Sequence, residues 1–182
     1  MCVKIIYLCG KLLTIFENMA NYKRLLIRQG AATNTVIDTL EQFHVACQEF
    51  PYKHLPEAKE LAKNDWFDED GEDVYIPSSG LKFKAYDLEA KFLYVGDKSS
   101  MANDLRSFID FLYGRNTNGN PELSIYDEFT KTGRQKVYVQ SVDNELITYD
   151  DVNTDVIAQF KVKFRVADPV TNVVLYLDDS SN

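Results

Sequence analysis

The strictest alternation of apolar and polar residues in this chain lies near its end, between positions 159 and 166. Successive side chains leave opposite faces of a β-strand, so a period of two predicts a strand with one buried face. Pro169 has no N–H to donate to a neighbouring strand, so Asp168-Pro169 should end this one. The residues predicted to face inward are Phe160, Val162, Phe164 and Val166, and those predicted to face outward are Gln159, Lys161, Lys163 and Arg165.

A spacing of three and four residues predicts one α-helix over about residues 100–113. Ser99 or Ser100 is a suitable N-cap, and Gly114 is a suitable stop because glycine tolerates the left-handed backbone that often follows a helix. We expect this amphipathic helix to lie against a sheet. The apolar residues at helical spacing are Met101, Leu105, Phe108, Ile109 and Leu112.

Shorter apolar runs predict the other strands. The segment 33–50 fits both a helical stripe and a strand, and its period alone does not decide between them. A hairpin turn is predicted at 131–134. The order of elements predicts a mainly β domain, a β-sandwich or barrel with a single flanking helix. The predicted strands, besides the one already described, are 22–28, 81–95, 123–126, 137–142 and 173–177.

Composition narrows the class of protein. The 182 residues are 45% hydrophobic and 13% aromatic, which is enough to build the core of one domain and argues against disorder. The formal net charge of −8 disfavours nucleic-acid binding by phosphate neutralisation, which needs a basic surface. The sequence has no uninterrupted apolar run of about eighteen residues, so we expect no membrane span.

The beginning of the chain is unusual. Residues 1–18 are largely apolar with interspersed lysines, and they resemble either a poor signal peptide or translation upstream of a natural start at Met19. We favour the second interpretation, which predicts a non-native extension (1–18) and a single β-rich domain (19–182). Cys2, Cys9 and Cys47 have no zinc-site spacing, and we interpret them as reduced thiols of a cytosolic setting.

Candidate reactive groups are few. His44 and Cys47 lie three residues apart, but no signature of a cysteine nucleophile surrounds them, so a buried cysteine is the better interpretation. The acidic residues around Gly71 fail the EF-hand spacing, because Pro77 stands where the closing acid should be. There is no glycine-rich phosphate loop. We therefore predict no catalytic residue, cofactor or metal, and a protein that is not an enzyme.

Two charged groups remain as candidate surfaces. Basic residues on predicted strands have aromatic neighbours, and we interpret them as solvated faces or partner contacts. The acidic turn is interpreted as solvated. The basic residues are Lys82, Lys84, Lys161, Lys163 and Arg165, and the acidic ones are Asp68, Glu69, Asp70, Glu72 and Asp73.

Several segments, taken in order, resemble the distal tail proteins of phages and prophages. The resemblance covers roughly residues 20–178 and depends on the order of the segments. In chain order they are 63–71 (the approach to a hairpin), 81–96 (the strand that follows), 101–114 (the single helix), 123–128 with 134–139 (the next hairpin) and 160–169 (the final strand, ending in Asp-Pro).

The resemblance implies a tail-tube-like fold and a hexameric ring in the tail tip or baseplate hub. The implied partners are copies of this chain and the neighbouring tail-tube and tail-tip proteins, with no membrane and no sequence-specific nucleic acid. The implied location is the virion tail, after assembly in the host cytoplasm. Asp68, Glu69, Asp70, Glu72 and Asp73 would line a DNA-conducting lumen or face a partner. Many family members carry a second, carbohydrate-binding-like domain after the Asp-Pro strand, so here we expect a version with the ring-forming domain only.

Other interpretations stay open. A tail-tube or tail-completion protein of the same superfamily would share the fold. A monomeric carbohydrate-binding β-sandwich would need several tryptophan or tyrosine side chains on one concave face, whereas Trp66 is the one tryptophan of the sequence. A hydrolase finds almost no support among the residues.

Overall fold

The structure is a computed structural model that describes residues 24–54, 56–117, 119–150 and 155–177, with backbone alone at 144–150 and 155–157. The predicted extension 1–18, with Cys2 and Cys9, lies outside the described residues. The strands are β1 (Leu25–Gln29), β2 (Val36–Asp38), β3 (Val45–Glu49), β4 (Lys63–Asn64), β5 (Asp73–Val74), β6 (Tyr86–Asp97), β7 (Leu123–Asp127), β8 (Thr132–Asp150) and β9 (Asp155–Val166), and the helices are α1 (Thr39–Phe43) and α2 (Met101–Leu112).

Seven of the strands form one antiparallel sheet, in the order β2-β1-β7-β8-β9-β6-β3. One long pairing in it joins β6 to β9, which sets Phe92 opposite Phe160 and Leu88 opposite Phe164. The strands β4 and β5 pair only with each other in a separate two-stranded sheet. The predicted mainly β class with a flanking helix is confirmed.

The sheet is open but strongly curled. Laid flat, seven strands about 4.8 Å apart would place β2 and β3 about 29 Å from each other. The link between them consists mostly of α1, and its five residues rise only about 1.5 Å each. The two edges must therefore lie close together, on either side of α1. The described strands form an open barrel, without full closure, and α1 covers its gap.

Local hydrogen bonds explain why α1 begins and ends within only five residues. The Asp38 carboxylate accepts a hydrogen bond from the Leu40 N–H at 2.8 Å, which caps the first turn. His44 then takes a left-handed conformation with φ of 56°, and its N–H donates to the Leu40 carbonyl. The segment 33–50, whose pattern fits both a helix and a strand, thus contains both, as β2, α1 and β3. The expectation of a single helix missed α1.

The longer helix packs against the inner face of the sheet, as its pattern predicts. Leu105, Phe108, Phe111 and Leu112 are buried in the same cluster as the inward residues of β6 and β9. The Phe108 ring lies 5.4 Å from that of Phe92 and 6.0 Å from that of Phe160. Ser100 occupies the N-cap position without a side-chain capping bond, and Gly114 follows the helix at φ of +67°. The core therefore joins α2 to the middle of the barrel.

Four predicted elements differ from the structure. The strand predicted at 137–142 is part of the much longer β8, Thr132–Asp150. The strand predicted at 81–95 begins only at Tyr86, because residues 82–84 instead bond back to 57–59. The turn predicted at 131–134 lies earlier in the chain, between the end of β7 at Asp127 and the start of β8 at Thr132. Lys131, within this turn, takes the left-handed conformation, with φ of 55°. Segment 173–177 is not a strand.

The error at 173–177 has a clear physical reason. Leu175 is buried against Leu26 and Tyr126 on the outer face of the sheet, so the segment has alternating burial without ladder hydrogen bonds. It is held by Asn172, whose side-chain oxygen accepts from the Gly133 N–H at 2.7 Å. A period of two reports which side chains are covered, and it does not require a paired backbone.

Candidate functional site

Residues 56–85 form an arm that leaves the barrel after β3 and returns to it at β6. Its paired part is the two-stranded sheet of β4 and β5, in which Lys63 lies opposite Val74 and Asn64 opposite Asp73. A second pairing at the base joins Ala58 to Phe83. The structure describes all thirty residues of the arm, and none of them is buried. The arm therefore stands away from the hydrophobic core.

The predicted acidic turn forms the tip of this arm, between β4 and β5. Lys63 Nζ donates to the Glu72 carboxylate at 2.6 Å, and the Trp66 indole N–H donates to Asp73 at 3.3 Å. The charges of Glu72 and Asp73 are therefore used to hold the hairpin together. In contrast, the carboxylates of Asp68, Glu69 and Asp70 are solvent-exposed and make no side-chain bond within the described part of the chain. Those three are available to a partner.

Apolar side chains are concentrated on the arm. Twelve large hydrophobic side chains are exposed in the described part of the chain, and seven of them belong to the arm. Phe67 at the tip is fully exposed, and Trp66 beside it is 51% exposed. Single exposed apolar residues are ordinary, but a contiguous group marks an interaction surface. The seven are Trp66, Phe67, Val74, Tyr75, Ile76, Leu81 and Phe83.

The root of the arm, by contrast, is fixed to the barrel. The Phe50 ring lies 6.1 Å from that of Phe164 in the core and 4.6 Å from that of Tyr52. Buried Arg134 of β8 reaches over the Tyr52 ring, 5.9 Å from its centroid, and donates to the Lys53 carbonyl at 3.4 Å. Burial, and next the charge of Asp127, raise the pKa of Tyr52 above its ordinary value. A firm root allows the arm to present its tip in a defined direction.

The base of the arm is also paired. The Lys84 N–H donates to the Glu57 carbonyl at 2.8 Å, and Lys84 Nζ donates to the Glu57 carboxylate at 2.9 Å. This side-chain bond lowers the pKa of Glu57 and raises that of Lys84. Both side chains are open to solvent, so the ion pair orients the strands more than it stabilises them.

A second surface feature lies on the barrel, where the end of α2 meets the start of β8. It is a groove of about 390 Å³ with mainly apolar walls, and the exposed residues Lys136 and Glu122 stand at its border. The sequence offered no signal for it, because its residues come from four distant parts of the chain. The apolar walls are Leu112, Tyr113, Pro121, Tyr138, Val139 and Ala167.

The predicted basic residues of β9 are neutralised in place. Arg165 donates to Asp87 of β6 at 2.8 Å, Lys163 lies 3.7 Å from the same carboxylate, and Lys161 lies 3.1 Å from Glu89. Hydrogen bonding from Arg165 lowers the pKa of Asp87. These cross-strand pairs favour the interpretation of a solvated face over that of a basic platform.

His44 and Cys47 are placed in different environments. Cys47 is buried in the core cluster, and His44 Nδ1 lies 3.1 Å from an oxygen of Asp104 in α2. The same Asp104 oxygen accepts from the Tyr94 hydroxyl at 3.0 Å, and that hydroxyl also contacts Ser100. This polar network ties α1 to α2 and was not predicted from the sequence. No short-range motif reveals it, since His44 and Asp104 are sixty residues apart.

The described residues contain neither a metal-binding cluster nor a helix that could span a membrane. No three histidine, cysteine, aspartate or glutamate side chains among them are placed to hold a metal ion. Neither helix of the described chain has the length and apolarity needed to cross a membrane.

Comparisons with known proteins add little. No protein-family model matches the chain. No curated protein matches it either. Among solved structures the chain is similar to the SPP1 Dit (gp 19.1) protein, described as a paradigm of hub adsorption apparatus in Gram-positive infecting phages, with a TM-score of 0.48 and 14% identity. The similarity covers 80% of this chain and 50% of that one, so this chain spans about half the length of that protein.

Proposed function

We propose that this protein is a structural subunit of a phage or prophage tail, part of the tail tip or baseplate hub. In this proposal it joins copies of itself into a ring, with six members, around a DNA-conducting channel, and it performs no catalysis. The resemblance of its ordered sequence segments to distal tail proteins suggests the setting. The arm is the observation that carries the proposal, because its exposed apolar side chains contribute to stability only when another molecule covers them.

The energetics of the arm favour assembly. Full burial of a large apolar side chain contributes roughly 1.5–3 kcal/mol. Covering seven such side chains, even partly, is thus worth on the order of 10 kcal/mol. That is comparable with the cost of bringing two molecules together, about 4–15 kcal/mol. The fixed root at Tyr52 and Arg134 lowers the cost further, because less motion is lost on binding.

The position of the arm favours a ring over a closed pair. An arm that contacts a different surface of its neighbour makes a head-to-tail contact, and such contacts generate rings or filaments. The sheet edges offer less contact, because β2 has three residues and β3 has five. Short edge strands are a common protection against unwanted strand pairing. In this proposal the arm therefore supplies most of the contact between subunits.

The charge of the protein suits a channel through which DNA moves. The net charge of −8 and the three unpaired carboxylates at the tip repel phosphates, and the basic residues of β9 are already paired. We propose that the tip acids face the lumen or a neighbouring subunit.

Light scattering after size-exclusion chromatography, at low and at high salt, tests the proposal directly. The expected particle has six times the mass of the 20.9 kDa chain, and negative-stain electron microscopy should show rings with a central hole. A particle that stays at 20.9 kDa at the highest attainable concentration and binds glycans on an array would contradict it and favour the carbohydrate-binding interpretation.

A further inference from the structure

We infer that the arm tip of one copy docks into the groove beside α2 of a second copy, with the rings of Phe67 and Trp66 as its anchors. This inference rests on the proposed ring and names its subunit contact. It commits to a second copy of the chain as the occupant of the groove, and it follows from the shape, charge and backbone of the two surfaces.

Size and polarity match. The groove has about 390 Å³ of space between apolar walls that include Leu112 and Tyr138. A protein cavity on the order of 150 Å³ holds one benzene molecule. The groove therefore has room for the Phe67 ring and for the Trp66 indole beside it. At the tip Phe67 is fully exposed and Trp66 is 51% exposed, so both have surface left for a partner to cover.

Charge matches as well. The anchors stand next to the unpaired carboxylates of Asp68, Glu69 and Asp70, and the groove has Lys136 at its border. Arg115 adds a second positive charge there, with its guanidinium 5.7 Å from the Tyr113 ring that lines the groove. Glu122 is the one acid among the lining residues. Opposite charges around an apolar contact select the register and speed the encounter.

The backbone at Lys136 points to a role for its side chain. Lys136 has φ of 54°, a conformation that costs a residue with a Cβ about 1–2 kcal/mol and that glycine adopts freely. Leu123 pairs with Val137 here, next to a register shift in the β7–β8 ladder. Glycine is the residue that suits a bulge of this kind. Keeping a lysine at the strained position is explained if its charge contacts an acidic partner.

A photo-cross-linking experiment tests the contact with the full chain. Phe67 is replaced by benzoylphenylalanine, and the labelled protein is mixed with an equal amount of ¹⁵N-labelled unmodified chain before irradiation. Mass spectrometry then identifies the joined peptides and tells contacts between chains from contacts within one. The matched control carries the same probe at Phe129, which is also exposed but lies outside the arm.

The expected adducts join position 67 of one chain to residues 112–113 or 136–139 of the other, with a yield about tenfold above that of the control. Lys136→Gly should lower that yield about fivefold while leaving the melting temperature equal or higher, because it removes a charge and relieves the strained φ. Lys136→Glu should lower it further, and reversal of the three tip acids to lysine in the partner should restore it.

The other outcomes overturn the inference. Adducts at another surface of the second chain, adducts within one chain at every concentration, or a yield no greater than that of the control would each contradict it. These results are distinct from a failure of the proposed function. A ring seen by light scattering with adducts elsewhere leaves the function standing, whereas a lone monomer removes the function itself.

Discussion

Two phenylalanines show how differently the barrel and the arm use the same kind of residue. Phe92 of β6 is 0% exposed, and its ring contacts those of Phe108, Phe160 and Phe164. Phe67 of the arm is fully exposed and has no ring contact with a described residue. The first stabilises the fold of one molecule. The second contributes only when another molecule covers it.

Glycines and acidic residues also differ in their surroundings between the barrel and the arm. Gly114 after α2 is packed against the backbone of Pro121, and Gly71 at the tip of the arm has open space around it. Asp168 after β9 accepts several hydrogen bonds, and Asp70 at the tip accepts none from a described residue. Matched substitutions in the two regions therefore separate what holds the barrel from what serves assembly.

The largest expected difference concerns the two phenylalanines. Phe92→Ala should lower the free energy of unfolding by about 3–5 kcal/mol, because it leaves a cavity among three other aromatic rings. Phe67→Ala should change it by less than about 0.5 kcal/mol. Urea denaturation of the dilute protein measures both. Equal losses for the two variants would mean that the arm packs into the core, and the division between barrel and arm would be wrong.

The glycine pair should give an intermediate difference. A Cβ at Gly114 would lie 2.5 Å from the Pro121 nitrogen, and φ is +67° there, so Gly114→Ala should cost about 2–3 kcal/mol. Gly71→Ala meets the same kind of backbone strain, at φ of +92°, but no neighbouring atom within 4 Å. We expect this strain to affect only the arm, because no residue of the arm belongs to the buried core cluster. Thermal unfolding should show a clear drop for the first variant and an unchanged midpoint for the second.

The acid pair should give the smallest difference, and one that depends on pH. Burial raises the pKa of Asp168, but the Thr171 and Val170 N–H groups and the Gln135 side chain lower it, and the outcome is about 2 against an ordinary 3.8. A lowered folded-state pKa contributes stability that is complete above pH 4 and is lost as the pH falls towards 2.

Asp168→Ala should accordingly cost about 1 kcal/mol at pH 7, from the lost hydrogen bonds. Its difference from the unmodified chain should shrink as the pH falls from 4 to 2. Asp70→Ala should be neutral throughout. Denaturation curves across this pH range check both, and a constant cost for Asp168→Ala would show that its charge has no part in the effect.

Parts of the fold were readable from local patterns. The alternation in β9 and the helical spacing in α2 both reported true burial, because each element lies with one face on the core. The segment 173–177 has the same alternation for another reason, since Leu175 is covered without any strand pairing. The division of 33–50 into β2, α1 and β3 depends on the curl of the whole sheet, and no local period encodes that.

Only one of the two surfaces of the candidate site, the arm tip, could be predicted from the sequence. The acidic run and Trp66 marked the tip of the arm, because turn-forming and charged residues cluster there in sequence. The groove could not be found in the same way. Leu112, Pro121, Lys136 and Ala167 come together only when the chain is folded. The strained φ of Lys136 is likewise a property of the bulge and not of the residue type.

Removal of the arm tests the central claim most directly. Ala58 and Phe83 are paired across its base, so a two-residue Asn-Gly turn can replace residues 59–82 without straining the barrel. The particle mass of this variant is measured by light scattering beside that of the unmodified chain. We predict a ring for the unmodified chain. The variant should be a folded monomer, whose mass is the 20.9 kDa of the chain minus that of the deleted residues, and it should have the same unfolding midpoint. A variant that still forms rings would contradict the account.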